Sequence, residues 1–193
     1  MQAKKSYIFM APGVEEIEAI ATVDALRRAG MEVVEVSTTE SKEVKGATGQ
    51  TVVADTLLSE TDLTDADWLI VPGGVPGAPN LHADKAVNDA IKAHAAKGGR
   101  IAAICAGPAV VLAPLGVLSG KKATCYPGLE DALAKGGATY EHSPVVKDVN
   151  LITSEGPGTT MAFAIEIIRE TLGDKVADDT ADSMIMTPKM QGR

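Results

Sequence analysis

The run ADWLIVPGGVPGAPNLHADKAVNDAIKAHAAKGGRIAAICAGP, residues 66–108, decides the fold. Trp68–Val71 form an unbroken apolar stretch that stops at Pro72-Gly73-Gly74, where glycine lets the backbone turn. KAVNDAIKAHAAKGG, residues 85–99, has helical spacing and a glycine stop. RIAAIC, residues 100–105, is again continuously apolar. Strand, helix, strand, with strands that do not alternate polar and apolar positions, is the pattern of parallel strands covered by helices on both faces.

The same rhythm extends outward. SYIFMA (6–11), MEVVEVST (31–38) and the extended piece QTVVADTLL (50–58) read as strands. VEEIEAIATVDALRRAG (14–30) reads as a helix, with Ile17, Ile20, Ala21, Val23 and Leu26 on its inner side and Gly30 as its stop. GPAVVLAPLG (107–116) predicts a short helix with Pro108 in its first turn. Further on, KKATCY, ATYEHS and VVKDVNLITSEG offer short strands, with a one- to two-turn helix in GLEDALAKGG. GTTMAFAIEIIRETLG (158–173) predicts an amphipathic helix capped at Thr159 or Thr160. DKVADDTADSMIM (174–186) predicts a last helix, followed by TPKMQGR (187–193) as a mobile tail. With no repeat, low-complexity tract or linker, residues 1–193 are expected to form one α/β domain.

Composition narrows the function classes. Aromatics are only 3% of the chain, so the core has to be largely aliphatic. A net charge of −8 argues against binding a phosphate backbone or an anionic membrane surface. No apolar run approaches the roughly 20 residues that span a bilayer, and the N-terminal apolar stretch is too short for a signal peptide. An intracellular, soluble protein is expected. Two cysteines, no CxxC and three scattered histidines speak against a disulfide scaffold or a structural zinc site, and no metal or organic cofactor is expected.

In doubly wound sheets, ligands sit outside the carboxyl ends of the strands. Those ends here are Ala11-Pro12-Gly13, Pro72-Gly73-Gly74, Cys105-Ala106-Gly107 and Ser154-Glu155-Gly156-Pro157-Gly158, and they can form one crevice. Cys105 is expected beside a helix N-terminus, which lowers a thiol pKa towards neutrality; the competing reading is a packed core cysteine. The amides of Gly74 and Ala106 are candidates for an oxyanion hole, and an ordinary tight turn explains the glycines equally well. Glu15-Glu16-Ile17-Glu18 reads first as a solvated, dipole-stabilised helix start, while Glu18 is also placed to point towards the strand ends.

AAICAGP, VPGGVPGAPNL, APGVEEIEA with VDALRRAG, and TSEGPGT, in this order between about residues 6 and 172, resemble the ThiJ/PfpI family, in particular its parkinsonism-associated deglycase branch. The resemblance implies a flavodoxin-like three-layer sandwich of the class I glutamine amidotransferase-like type, in a cytoplasmic homodimer. It places the reactive cysteine on Cys105, its protonated glutamate partner on Glu18 and the pocket amides on Gly74 and Ala106. The implied activity is glutathione-independent conversion of methylglyoxal, or repair of its early adducts with proteins and nucleotides. The alternative it implies is a redox-sensing dimer or chaperone whose cysteine oxidises to sulfinate. Two positions depart from the family. The histidine that some members hold near the cysteine falls on Tyr126, a possible substrate contact but, with a pKa near 10, a poor base. The histidine that follows the cysteine in the protease-like branch is Ala106 here, so the Cys–His pair needed for peptide hydrolysis is missing. His82, His94 and His142 read as exposed.

Overall fold

Strands buried on both faces are mainly apolar, and five segments fit that pattern. In the computed structural model, which describes residues 5–187, they are β1 (Ser6–Met10), β2 (Val33–Ser37), β6 (Trp68–Val71), β7 (Arg100–Ile104) and β11 (Leu151–Ser154). With the edge strands β5 (Thr56–Leu57) and β10 (Val145–Asp148) they form one sheet in the order β10-β11-β7-β6-β1-β2-β5. Every pairing is parallel except the β10–β11 hairpin. This is the expected mostly parallel, flavodoxin-like α/β sheet. Two small ribbons lie outside it: β3 (Glu43–Lys45) with β4 (Thr51–Val53), and β8 (Lys122–Ala123) with β9 (Thr139–Tyr140).

The helices cover the sheet. α1 (Glu16–Arg28) packs on α5 (Thr160–Leu172), which packs on α6 (Asp174–Ser183). α3 (Lys85–Ala96) lies against β7, and α2 (Gly77–Ala83) lies against a wide, π-type helical segment over Gly107–Leu112. α4 (Glu130–Lys135) is the short helix expected between the small strands. The core is aliphatic, with Trp68, Phe9 and Phe163 completely buried among it. Trp68 Nε1 donates to Thr171 Oγ1 at 2.8 Å, and the Arg100 guanidinium lies 4.9 Å from the Trp68 ring centroid. The lone indole N–H is thus satisfied, as burial requires.

Several expectations need correction. Ile17 and Ile20 do not face inward; they are 56% and 44% exposed. α1 instead buries Glu16, Glu18, Ala19, Thr22, Val23, Ala25 and Leu26. Its apolar residues occur on more than one side, so periodicity alone does not fix its rotation. His94 is buried at the end of α3, where its Nε2 lies 3.0 Å from the Arg100 carbonyl, and His82 is half-buried; only His142 is exposed. Thr159 holds the N-cap position of α5, but its hydroxyl bonds to Ser154 and Gly156 rather than capping the helix. α2 and β3 were not expected. From residue 188 onward, the tail lies outside the described residues.

Candidate active site

Three of the four strand ends meet in one pocket, as the carboxyl-end rule requires. It has a volume of about 510 Å³ and is lined by Gly74 and Val75 after β6, Cys105 and Ala106 after β7, and Pro157 after β11. Tyr126, Glu15 and Ala47 complete its walls. The first strand end reaches it indirectly. Gly13 turns with φ +83° and hands the chain to Glu15, whose N–H donates to the Gly73 carbonyl at 3.2 Å.

Cys105 sits at the sharp exit of β7 with φ +62°. A non-glycine residue held there costs about 1–2 kcal/mol, and such strain persists only where neighbours over-determine it. They do so here: the Cys105 N–H donates to the Ser154 carbonyl and its own carbonyl accepts from the Tyr126 N–H, both at 2.9 Å. The side chain is left 8% exposed at the pocket's inner end. The backbone amides of Gly74 and Ala106 lie near the sulfur and favour its anion.

Glu18 approaches from the first turn of α1. Glu15 caps the helix by accepting the Glu18 N–H at 2.8 Å, which turns the Glu18 carboxyl away from the cap and into the protein. The residue is completely buried, and its Oε2 accepts the Gly73 N–H at 2.7 Å. Gly73 is required by this contact: a Cβ there would lie 2.7 Å from Cys105 Cβ and 2.9 Å from Glu18 Oε2. The second oxygen, Oε1, is buried with no formed hydrogen bond. The Cys105 side chain and this carboxyl lie against the same glycine, Gly73, and each shifts the other's ionisation.

Burial pushes Glu18 up to about 7, against the lowering effect of Cys105 and Gly73. Burial, and then the Glu18 carboxylate, push Cys105 up to about 12. The helix-end argument, which predicts a lowered thiol pKa, is therefore outweighed while Glu18 carries a charge. Once Glu18 is neutral, its repulsion disappears and it becomes a donor to the sulfur. Burial is then opposed by two amides and a carboxylic acid. A neutral Glu18 thus lowers the cost of a thiolate without removing the cost of burial, which is the largest cause of the raised Cys105 pKa.

The acidic cluster divides its work. Glu16 is buried rather than solvated, and accepts from the Thr48 N–H at 2.9 Å and the Thr48 hydroxyl at 2.7 Å. Burial alone raises its pKa, but the Thr48 bonds and other hydrogen bonds outweigh it and hold the carboxyl below its ordinary value. This ties the β3–β4 turn, and with it Ala47, onto the pocket. Tyr126 is 48% exposed on the pocket wall, its ring edge over Gly156. Cys125 is completely buried and both cysteines are free thiols. Among the described residues, no group of three His, Cys, Asp or Glu side chains is placed to hold a metal ion. Sequence placed Gly73 in a strand end and Glu15 in the acidic cluster without giving either a role in the pocket; Ala47 carried no signal.

A family model described as "DJ-1/PfpI family" matches residues 4–170. "Protein DJ-1 homolog A" of Arabidopsis thaliana is 39% identical over 187 residues, 96% of this chain. The chain spans 47% of that relative's length. "Glutathione-independent glyoxalase DJR-1.2" of Caenorhabditis elegans is 38% identical over 174 residues, covering 89% of this chain and 91% of the relative. Among solved structures, that of oxidised Toxoplasma gondii DJ-1 superposes with a TM-score of 0.91 at 36% identity, covering 96% of this chain and all of the other.

Proposed function

We propose that this chain, which belongs to the DJ-1/PfpI family, converts methylglyoxal to lactate without glutathione, using Cys105 as nucleophile and Glu18 as acid and base. The observation that carries this reading is a completely buried carboxyl and a pocket cysteine converging on Gly73, whose N–H the carboxyl accepts. The proton passes from Cys105 to Glu18, and the thiolate adds to the aldehyde carbon to give a hemithioacetal. The amides of Gly74 and Ala106, which line this end of the pocket, stabilise the alkoxide in this scheme. Glu18 carries a proton from the former aldehyde carbon to its neighbour, so that the first carbon is oxidised, the second reduced and the whole remains redox-neutral. Water then hydrolyses the resulting lactyl thioester, releasing lactate and the thiol. In early adducts with amines or thiols the aldehyde carbon is already tetrahedral, so deglycase activity needs one further step, in which the amine or thiol leaves with a proton as the Cys105 sulfur takes its place; the later steps are the same.

Tyr126 borders the substrate and supplies a hydroxyl rather than a neutral-pH base. The exposed Ile17 and Ile20 on α1 favour a homodimer that covers them. Lactate released from methylglyoxal by purified protein, with glutathione absent, is the decisive readout. Turnover in wild type and its loss in both Cys105→Ser and Glu18→Gln are expected; equal rates in wild type and Cys105→Ser would sink the proposal.

One observation favours redox sensing as a second reading. Glu18 Oε1 is buried without a partner beside the sulfur, and a neutral acid there donates well to a sulfinate oxygen. Two equivalents of peroxide convert the thiolate to sulfinate and leave two waters. Selective sulfinate at Cys105 under low peroxide, with no lactate formed, would make this the protein's activity.

A further inference from the structure

The opposite pole of the sheet carries a second cavity that the proposed chemistry does not use. Cys105 follows the end of β7, whereas this groove opens at the strand's beginning, beside Ile101. Four residues of strand separate the two, or about 13 Å along the sheet. The groove has a volume of about 540 Å³, within the size range of small-molecule sites.

Its chemistry is two-sided. The floor is aliphatic, made of Ile101 and Leu151 at the starts of β7 and β11 and of Leu115 and Val117 after the π-type segment. Lys92 of α3 and Lys121 before β8 line the walls and are the groove's two cationic residues. Among the described residues neither lysine has a carboxylate partner, although the chain carries a net charge of −8. Lys121 Nζ donates to Asn150 Oδ1 at 3.1 Å, and Asn150 Nδ2 donates to the Gly99 carbonyl at 2.7 Å. Asn150 therefore steadies the ammonium while leaving two of its three donors free. The nearest carboxylate on the hairpin, Asp148, is occupied by the Lys122 N–H at 2.7 Å.

The rim adds an independent feature. Val149, in the two-residue loop joining β10 to β11, has φ +55° and is 77% exposed. A β-branched residue in the left-handed region is an outlier where glycine or asparagine is the usual solution. Its side chain gains nothing from burial within this chain, yet it extends the apolar wall of the groove. An apolar ligand would cover it.

We propose that this groove is a second ligand site, selective for a small monocarboxylate with an apolar body of about five to eight carbons. The carboxylate lies between Lys92 and Lys121, and the hydrocarbon lies over Ile101, Leu151 and Val149. A phosphate monoester fits less well, because the groove offers two side-chain cations and an apolar floor but no ring of backbone amides. The assignment stands apart from the chemistry proposed at Cys105.

Hexanoate is the probe, with hexanol, hexylamine and inorganic phosphate as comparisons, read by amide shifts in two-dimensional NMR of the full chain. Hexanoate should give saturable shifts at Gly98, Ile101, Val149 and Asn150, with affinity about tenfold above that of hexanol. In a Lys92→Gln/Lys121→Gln double variant that preference should fall to about twofold or less, given the modest strength of partly exposed ion pairs. Cys105→Ser should bind hexanoate unchanged. Equal affinity for hexanoate and hexanol, tighter binding of phosphate or hexylamine, shifts confined to Gly74 and Tyr126, or no saturable shift would each overturn the proposal.

Discussion

Replacing Glu18 by glutamine should change how stability depends on pH, most cleanly in a Cys105→Ser background where no thiol titrates beside it. Glu18 is completely buried, with one N–H donor on Oε2 and none on Oε1. Burial accordingly lifts its pKa from 4.5 to about 7. A carboxyl raised on folding contributes its stabilisation in full below its unfolded pKa and loses it as pH rises through its folded pKa. At 1.36 kcal/mol per pH unit, the interval from 4.5 to about 7 corresponds to roughly 3 kcal/mol. Urea unfolding of Cys105→Ser and of Cys105→Ser/Glu18→Gln at pH 4.5, 6 and 8 measures this directly. The difference in unfolding free energy should drift by about 3 kcal/mol in favour of glutamine as pH rises. With Cys105 present, the drift should be smaller, because the sulfur can release a proton while Glu18 keeps its own. Parallel curves, drifting by less than about 1 kcal/mol, would refute a raised carboxyl and remove the neutral acid on which the proposed chemistry depends.

Gly73→Ala should destabilise the fold by about 1–3 kcal/mol in urea, since the new Cβ meets Cys105 Cβ at 2.7 Å and the Ala106 nitrogen at 2.9 Å, neither a flexible side-chain end. Glu16→Gln should cost about 1–2 kcal/mol at pH 7 through its weakened bonds to Thr48. Because the folded Glu16 pKa is depressed, that cost should be present above the ordinary carboxylate pKa and vanish as pH falls through the lower folded value, which acid titration of both proteins will show. The same variant should raise KM for methylglyoxal more than it lowers kcat, because it frees the turn that carries Ala47 but touches no reacting atom. Ile17→Glu/Ile20→Glu should leave the monomer's stability within about 0.5 kcal/mol, as exposed substitutions do, while sedimentation should show the proposed homodimer dissociated.

The rhythm of apolar runs and helical segments was enough to specify a mostly parallel sheet with crossover helices. A strand covered on both faces does not alternate polar and apolar residues, and that pattern is written locally in WLIV, RIAAI and LITS. Adjacent strand ends follow from the same topology, so Cys105, Gly74 and Pro157 were legible as neighbours before any coordinate. The rotation of α1 was not. VEEIEAIATVDALRRAG offers apolar residues on several sides, and two long-range anchors settle the matter: Glu16 to Thr48 and Glu18 to Gly73. They turn two carboxylates inward and leave Ile17 and Ile20 outside, the reverse of what hydrophobicity alone indicates.

The ionisation of Cys105 lies wholly on the tertiary side. Sequence places a thiol at a helix entrance, where dipole and amides favour its anion. It contains no measure of how little water reaches the sulfur, nor of the charge that Glu18, 87 positions away, brings against it. Those two quantities decide where the pair's proton rests, because desolvation and Coulomb repulsion depend on distances that only the packed chain defines. The sequence by itself thus determined the sheet, its strand ends and the cysteine standing at one of them. The family resemblance named Glu18 as the carboxyl beside that cysteine; the tertiary structure decided how deeply both are buried, since burial is a property of the whole fold and not of any segment.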